Sequence, residues 1–593
     1  MKPEAPAPNH GFEDSRRLTG PNRWFAGSAV ILTPLGAAAA DPHVLACWAA
    51  RVAAMVAALG WPGAAPQSHR HASGTLLALA APADQLFTAT EVNEWAWERC
   101  AAEAGETGFD IAHAFDGDAA VEVFRHRAGA ELRPALVALQ AEAAARGLPV
   151  LVDDDEVSIG AGHGSRVWPQ ADLPAVVGVP WADLCDVPTA LVTGSNGKTT
   201  TVRLLSAMCA VAGVEAGHCC TEGVFVDGRS VAGGDYSGPA GARAVLRHAG
   251  VRMALLETAR GGLLRRGLAV ARADVAVVTN ISPDHLGEYG IDSAHDLAEV
   301  KLVVARAVTP EAGRAGRAGL LVLNADDAVL MAAAARLPHA VAAPKALFSH
   351  EHDHPALVAG RRAGGSTCGV RGGRLLLSDE GIEHDLGAVV DMPLTLGGAA
   401  RHNVENAAAA ALAAAGLRLP VPAIRHALRH FGSAPQDNPG RLERWAHRGA
   451  TVLIDYAHNP EGLAQLLQVA RSPALAAEGG RLCLLLGQAG NRDDAAITEL
   501  ARVAAASQPD LVVIKELPDM LRGRQPGEVP ALLERALLAA GLPPARCRQV
   551  ADEEAAARTL LEWAGPGDVV VLPVHTTAVR GRLVSWLSAT AGR

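Results

Sequence analysis

The 593-residue sequence predicts an α/β protein with two parallel-sheet domains in series, the second Rossmann-like, preceded by a smaller α+β domain. Three observations carry that prediction. Near-continuous apolar runs, ALVTG (190–194), MALLETA (253–259) and VAVVTNI (275–281), read as strands buried on both faces of a parallel sheet. A second series, TVLIDYA (451–457), LCLLLG (482–487), LVVIK (511–515) and VVVLP (569–573), alternates with helical segments in the same way. Between the first strand and the helix after it lies TGSNGKTTT (193–201), a glycine-rich loop ending in lysine and threonines.

Taken in order, residues 1–25 are polar and proline-rich and read as a flexible arm. Residues 26–152 mix both patterns. AVEVFRHRA (120–128) alternates like a strand, and LVALQAEAAARG (136–147) reads as a helix ending at Gly147. The stretch 153–174 is rich in turn residues and opens a connector running to 186. The central domain is placed at 187–432 and the C-terminal domain at 433–593. No short-period repeat is visible.

Composition narrows the function classes. A formal charge of −10 gives no general pull toward nucleic acid or an anionic membrane. The apolar stretch from Ala26 to Gly60 is broken by Pro34, Asp41, Pro42, His43 and Arg51, so it does not read as a membrane span. The N-terminal residues lack the apolar core of a signal peptide. Nine cysteines without CxxC or Cys/His pairing fit a reduced, cytoplasmic protein better than a disulfide framework or zinc site.

Only five of the 53 basic residues are lysine: Lys2, Lys198, Lys301, Lys345 and Lys515. A GC-rich coding bias writes arginine wherever a cation suffices. The remaining lysines should be enriched where a primary amine is needed and a guanidinium fails. Lys198 and Lys301 sit in motifs that suggest such a need, whereas chance survival serves equally well for Lys345 and Lys515.

In the glycine-rich loop, Gly194, Ser195, Asn196 and Gly197 let backbone N–H groups face a phosphate, and the following helix presents its positive end. Lys198 would neutralise β- and γ-phosphates. Thr199, followed by Thr200, would offer a hydroxyl to Mg²⁺. The strict P-loop pattern asks for glycine where this chain has Val192. Four further clusters fall at the carboxyl ends of predicted strands or open a helix: Glu257, NISPDHLGEYG (280–290), HNVEN (402–406) and DYAHNP (455–460). Singly, Glu257 reads as a helix cap, His285 as a surface histidine and Asp455 as a turn residue. Together with the phosphate loop they point to one site.

These segments resemble the Mur ligase family of ATP-dependent amide-bond-forming enzymes, and within it the Mur-like half of the cyanophycin synthetase branch. The resemblance rests on TGSNGKTT, TEGVFVDGRSVAGGDYSGPAGARAVLR (221–247), LLETARGGLLRRGL (255–268), TNISPDHLGEYGIDSAHDLAEVK (279–301), VLNADD (322–327), LGGAARHNVENAAAA (396–410), GRLE (440–443), DYAHNPEGL (455–463) and RGRQPGE (522–528). LTGPNRW (18–24), residues 120–139 and residues 147–166 resemble the N-terminal domain of the same branch. Arg166 stands only some 20 residues before the phosphate-loop strand, which leaves no room there for that branch's ATP-grasp domain.

The resemblance implies a carboxylate activated as acyl phosphate by ATP and then attacked by an amine. It implies Lys198, His285 and Lys301 as catalytic residues. Thr199 and Glu257 would hold a first Mg²⁺, and His285 and a carbamylated Lys301 a second. Asn406, Arg441, Asp455 and His458 would contact nucleotide, with Asp455 on the ribose hydroxyls. The loops GQAGNRDD (487–494) and KELPDM (515–520) would hold the amine, with Asn491, Arg492, Asp493, Asp494 and Glu516 as candidate substrate residues. The acids among them suit a cationic amino acid such as arginine, and solvated loop charge is their plainer reading.

The implied partners are an amino acid and a carboxylate-bearing peptide or polymer, with homo-oligomerisation open. A folylpolyglutamate or cell-wall ligase, or a catalytically silent ATP-binding partner of a full synthetase, remain the rival readings.

Overall fold

The computed structural model describes residues 11–61, 65–284, 286–308, 318–338 and 343–590. Among these, the central sheet has eleven strands. The phosphate-loop strand Thr189–Thr193 lies in its interior, parallel to Met253–Glu257 on one side and Val275–Val278 on the other. Both it and Met253–Glu257 are buried at every position, which is why their sequences run apolar without alternation. Parallel pairing continues outward through Ala216–Cys220 on one flank and Leu320–Asn324, Lys345–Phe348 and Thr367–Arg371 on the other. Antiparallel strands close both edges. The carboxyl ends of the three middle strands therefore open side by side, at the place where an open α/β sheet binds its ligand.

Two helices back the phosphate loop. Lys198–Val211 starts directly from it, and the alanine-rich Arg401–Gly416 lies fully buried from Ala407 to Gly416 against the same core. The helix ends close against the sheet: a Cβ on Gly416 would stand 2.8 Å from Val275. The C-terminal sheet runs in the order Glu443–His447, Ala450–Asp455, Val569–Pro573, Leu482–Leu486, Leu511–Ile514, Cys547–Gln549, with all but the first pair parallel.

The N-terminal domain carries an antiparallel sheet ordered Phe12–Leu18, Ala29–Pro34, Gly74–Ala80, Gln67–His71. Three of the expectations for this region need correction. The arm expected at 1–25 contains an ordered edge strand, Phe12–Leu18, whose backbone pairs with Ala29–Pro34; residues 1–10 lie outside the described residues. The segment 120–128 is helical, within Gly117–Glu131. Its buried residues Ala120, Phe124 and Ala128 recur every fourth position, and Asp116 caps its start. That four-residue stripe outweighs the local alternation. The connector is structured too: Val150–Val152, Glu156–Ile159 and Arg166–Pro169 form a small antiparallel sheet, against which the expected helix Pro134–Ala145 packs through Leu139 and Ala143.

Side chains tie the C-terminal lobe to the centre. Arg580 pairs with Glu222 through both terminal guanidinium nitrogens, Nη1 and Nη2, and Asn459 donates to Asn196 Oδ1 at 3.0 Å. Within the lobe, Lys515 is completely buried and paired with Glu553. Glu553 also accepts from the backbone N–H groups of His575 (2.8 Å) and Thr576 (3.1 Å), so the pair fixes the loop after strand Val569–Pro573. A Cβ on Gly487 would come within 2.6 Å of the Lys515 aliphatic stem, so a glycine there lets the side chain pass. Lys515→Met should strand Glu553 as an uncompensated buried charge and lower stability by about 3–5 kcal/mol. Urea unfolding of the variant measures this, and restoration of most of the loss by adding Glu553→Leu would separate charge from packing.

Candidate active site

The phosphate loop is shaped by its neighbours as much as by its own glycines. A Cβ on Gly194 would lie 1.8 Å from Thr279 Oγ1, and one on Gly197, whose φ is +85°, would lie 2.1 Å from Asn406 Oδ1. Nothing larger than hydrogen fits at either position. Thr279 donates its hydroxyl to Asn196 O at 2.6 Å, and Asn280 Oδ1 accepts from Asn196 N at 2.9 Å. The adjacent strand end thus braces the loop.

Lys198 folds back over this loop, donating to Gly194 O at 3.0 Å and Ser195 O at 2.9 Å. Burial lowers its pKa, opposed by the charge of Glu257. Thr199 donates to Glu257 Oε2 at 2.8 Å. Glu257 is only 1% exposed, and its Oε1 has no hydrogen-bond partner. Burial pushes this carboxyl up from its ordinary value, while Lys198 and the Thr199 bond pull it back. A buried carboxylate oxygen without a partner is costly. Beside a threonine hydroxyl it is the hard-oxygen donor set that suits Mg²⁺.

The C-terminal lobe completes the pocket. Arg441 donates to Thr221 Oγ1 at 2.9 Å and reaches Thr199 Oγ1 at 3.4 Å, with its guanidinium 4.7 Å from the Tyr456 ring centre. Asp455 accepts from Leu442 N at 2.6 Å, and burial raises its pKa. A cavity of about 130 Å³ results, lined by Ser195, Asn196, Gly197, Lys198, Thr199, Thr200, Glu257, Asn406, Arg441, Asp455 and His458. Of the proposed nucleotide residues only Gly194 is missing from that lining, and it faces the adjoining chamber.

That chamber is far larger, about 1130 Å³, and shares Ser195, Lys198, Tyr456 and His458 with the smaller pocket. Lys301 lines it and is 3% exposed. Burial, then the charge of Lys198, drives its pKa well below the ordinary lysine value. Asp284 links the centre to the C-terminal lobe, 3.2 Å from Arg492 and 3.4 Å from His458. His285 lies outside the described residues.

The amine-loop assignments divide. Asn491 and Arg492 line the chamber, and Asn491 donates to Glu288 Oε1 at 3.0 Å. Asp493, Asp494 and Glu516 do not line it. Asp493 caps the helix Asp494–Ala506, Asp494 pairs with Arg524 at 2.8 Å, and Glu516 accepts from Gly527 N. Each acid is already held by a local structural partner, which is the plainer reading of these charges. Sequence reasoning passed over Thr221, Asn280, Asp284, Arg260 and Glu288. All five stand inside the motif segments, and their position at or just after the strand ends of the sheet was the available signal.

Comparison with known proteins assigns both parallel-sheet domains to a family. The Mur ligase middle domain family matches residues 192–414, and the Mur ligase, glutamate ligase domain family matches residues 440–573. Cyanophycin synthetase of Synechocystis sp. is 34% identical over 426 residues, 70% of this chain and 47% of that protein. The counterpart from Geminocystis herdmanii is 33% identical over 424 residues, 70% of this chain and 46% of that protein. The chain thus spans about half the length of these relatives. UDP-N-acetylmuramoyl-L-alanyl-D-glutamate–2,6-diaminopimelate ligase of Xanthomonas campestris pv. campestris is 30% identical over 395 residues, 64% of this chain and 70% of that protein. The chain belongs to the Mur ligase family.

Proposed function

We propose that the chain is an ATP-dependent amide ligase. In this reading it activates an acceptor carboxylate as an acyl phosphate and joins it to the amine of an amino acid, on a cyanophycin-like or other peptide acceptor. The observation that carries the reading is the junction of the two cavities. The pocket of about 130 Å³ beside the phosphate loop meets a chamber of about 1130 Å³ at Ser195, Lys198, Tyr456 and His458. A plain ATPase needs room for water at that point, whereas a ligase needs room for two further substrates.

The residues suit the two steps. Nucleotide phosphates would lie along Gly194–Thr200, with Asp455 on the ribose. Lys198, held on carbonyls of its own loop, is the cation that would take charge from the transferring phosphoryl group. Arg441 reaches the same threonine hydroxyls only while the C-terminal lobe is docked. Thr199 and Glu257 would hold one Mg²⁺ and His285 with Lys301 a second, and the ions would screen the repulsion between the two reacting anions.

Lys301 would serve as its carbamate, formed when its uncharged amine adds CO₂ and releases a proton. Burial and the neighbouring Lys198 charge favour that uncharged amine. An arginine could not substitute, which accounts for a lysine in a chain that otherwise writes arginine. Walls from all three domains would keep water from the acyl phosphate.

Purified protein supplied with an amino acid panel and candidate carboxylate acceptors should release ADP only when both substrates are present; release independent of acceptor would count against a ligase. MgATP binding with no substrate-dependent ADP release would favour the silent-partner reading. Lys198→Ala should lower ADP release by about 100-fold or more. Lys301→Ala should be similarly crippled, and added bicarbonate should not restore it. With ¹³C-bicarbonate, wild-type protein should give a carbamate carbon resonance that is lost in Lys301→Ala and Lys301→Arg. An identical spectrum from the variants would remove Lys301 from this role.

A further inference from the structure

The helix that follows the phosphate loop, Lys198–Val211, also grips the segment between the two parallel-sheet domains. One turn past Thr199 it presents Arg203, whose Nε donates to Asp437 O at 2.9 Å and whose Nη2 donates to Gln436 O at 3.1 Å. Both carbonyls belong to the stretch that joins the helix Val421–His430 of the central domain to the strand Glu443–His447 of the C-terminal lobe. Two successive carbonyls thus meet the fork of one guanidinium, which the single point charge of an ammonium cannot reproduce. Behind the fork, the guanidinium lies 5.3 Å from the Phe225 ring centre. Phe225 stacks at 4.8 Å on His218, whose Nδ1 meets Ser206 Oγ of the same helix at 3.1 Å. The Arg203 side chain is therefore braced on both sides.

The grip continues toward the pocket. Asn438 Nδ2 donates to Thr200 Oγ1 at 3.1 Å and to Arg441 O at 3.3 Å, and Asn438 O accepts from Arg441 N at 3.1 Å. A carbonyl oxygen only accepts, so Arg441 O fixes which way the Asn438 amide faces. Asp437 Oδ2 folds the segment on itself, accepting from Gly432 N at 2.9 Å and Ala434 N at 3.1 Å. Leu442 follows in the left-handed conformation, φ +54°, which is strained for a leucine. Such a turn persists only where its surroundings over-determine it. Here those surroundings are Arg203 and Thr200 on one side and Asp455, which accepts from Leu442 N, on the other. At the end of this series of contacts stands Arg441, the side chain that reaches Thr221 and Thr199.

We propose that Arg203 is a positioning residue for the terminal phosphate of the nucleotide: it fixes the interdomain segment to the phosphate-loop helix and, through Asn438, holds the Arg441 guanidinium beside Thr199. This role rests on the ligase reading, since it needs a nucleotide at the phosphate loop. Thr199 and Arg203 are four residues apart on one helix. The metal side of the pocket and the cation arriving from beyond the linker then share one rigid frame. Arg441 would keep its place without depending only on pairs between the lobes such as Arg580 with Glu222.

Isothermal titration of the full chain with AMPPNP and with ADP, each in Mg²⁺, tests this. Arg203→Lys keeps the charge and loses the fork. It should weaken AMPPNP binding about tenfold, the loss expected when Arg441 forfeits one charged hydrogen bond to the terminal phosphate. ADP, which lacks that phosphate, should bind as it does to the wild type. Arg441→Lys should weaken AMPPNP binding at least as much. The double variant should bind AMPPNP no more weakly than Arg441→Lys alone, because Arg203 acts through Arg441.

Asn438→Leu cuts the same link from the side of the segment. It should give the same AMPPNP-selective loss and the same non-additivity with Arg441→Lys, which keeps the test sound if Arg203→Lys fails to fold. Equal AMPPNP binding by wild type, Arg203→Lys and Asn438→Leu overturns the role. So do equal losses for AMPPNP and ADP, the mark of general structural damage, and losses that multiply in the double variant. Wild-type AMPPNP binding without acceptor-dependent ADP release would remove the ligase reading, and the same titrations would still decide the role of Arg203. Failure of the wild type to bind AMPPNP removes both.

Discussion

One carboxylate in a nearly dry place organises this protein. Glu257 ends a strand buried at every residue, and one of its oxygens is held by Thr199. An isolated charge there would be prohibitive. Much of the surroundings can be understood as the arrangement that makes it tolerable: Lys198 across the loop, the threonine at the helix start, and Arg441 arriving from another domain. The three middle strands place these groups at a common edge because parallel strands end in register at their carboxyl side.

The sparse lysines gain meaning from the structure in different ways. Lys198 and Lys301 face the same chamber. Lys515 serves the lobe's structure instead, its aliphatic stem lying against Gly487 and its amine pairing with Glu553. Lys345 opens a strand and donates to Ala334 O. A lysine can therefore serve to pair a buried carboxylate as well as to supply reactive chemistry. Composition alone does not distinguish the two, since both depend on what lies across from the side chain.

Much of the central architecture was legible because buried parallel strands write apolar runs and a phosphate loop writes glycines. Motif clusters at strand and helix ends marked Thr199, Glu257, Asn406 and Asp455, the family resemblance supplied Arg441 and the nucleotide roles, and all five line one pocket. Legibility failed where the signal was short or shared. Residues 120–128 satisfy a two-residue and a four-residue period at once, and tertiary burial of Ala120, Phe124 and Ala128 decides between them. Asp493, Asp494 and Glu516 carry the right charge for an amine, but capping and local pairing claim them. The edge strand Phe12–Leu18 gave no signal at all, because its polar sequence reads as an arm and only backbone pairing with Ala29–Pro34 orders it.

The two outer domains grip the centre differently. The N-terminal domain is joined through backbone hydrogen bonds, Thr19 N to Arg266 O at 2.9 Å and Leu268 N to Pro21 O at 2.8 Å, reinforced by Arg23 on Asp296 and Glu299. The C-terminal lobe meets it chiefly through exchangeable side-chain pairs such as Glu222 with Arg580 and Asp284 with Arg492. Side-chain pairs part without breaking any sheet or backbone bond, so in the proposed ligase the C-terminal side is where the chamber would open at least cost.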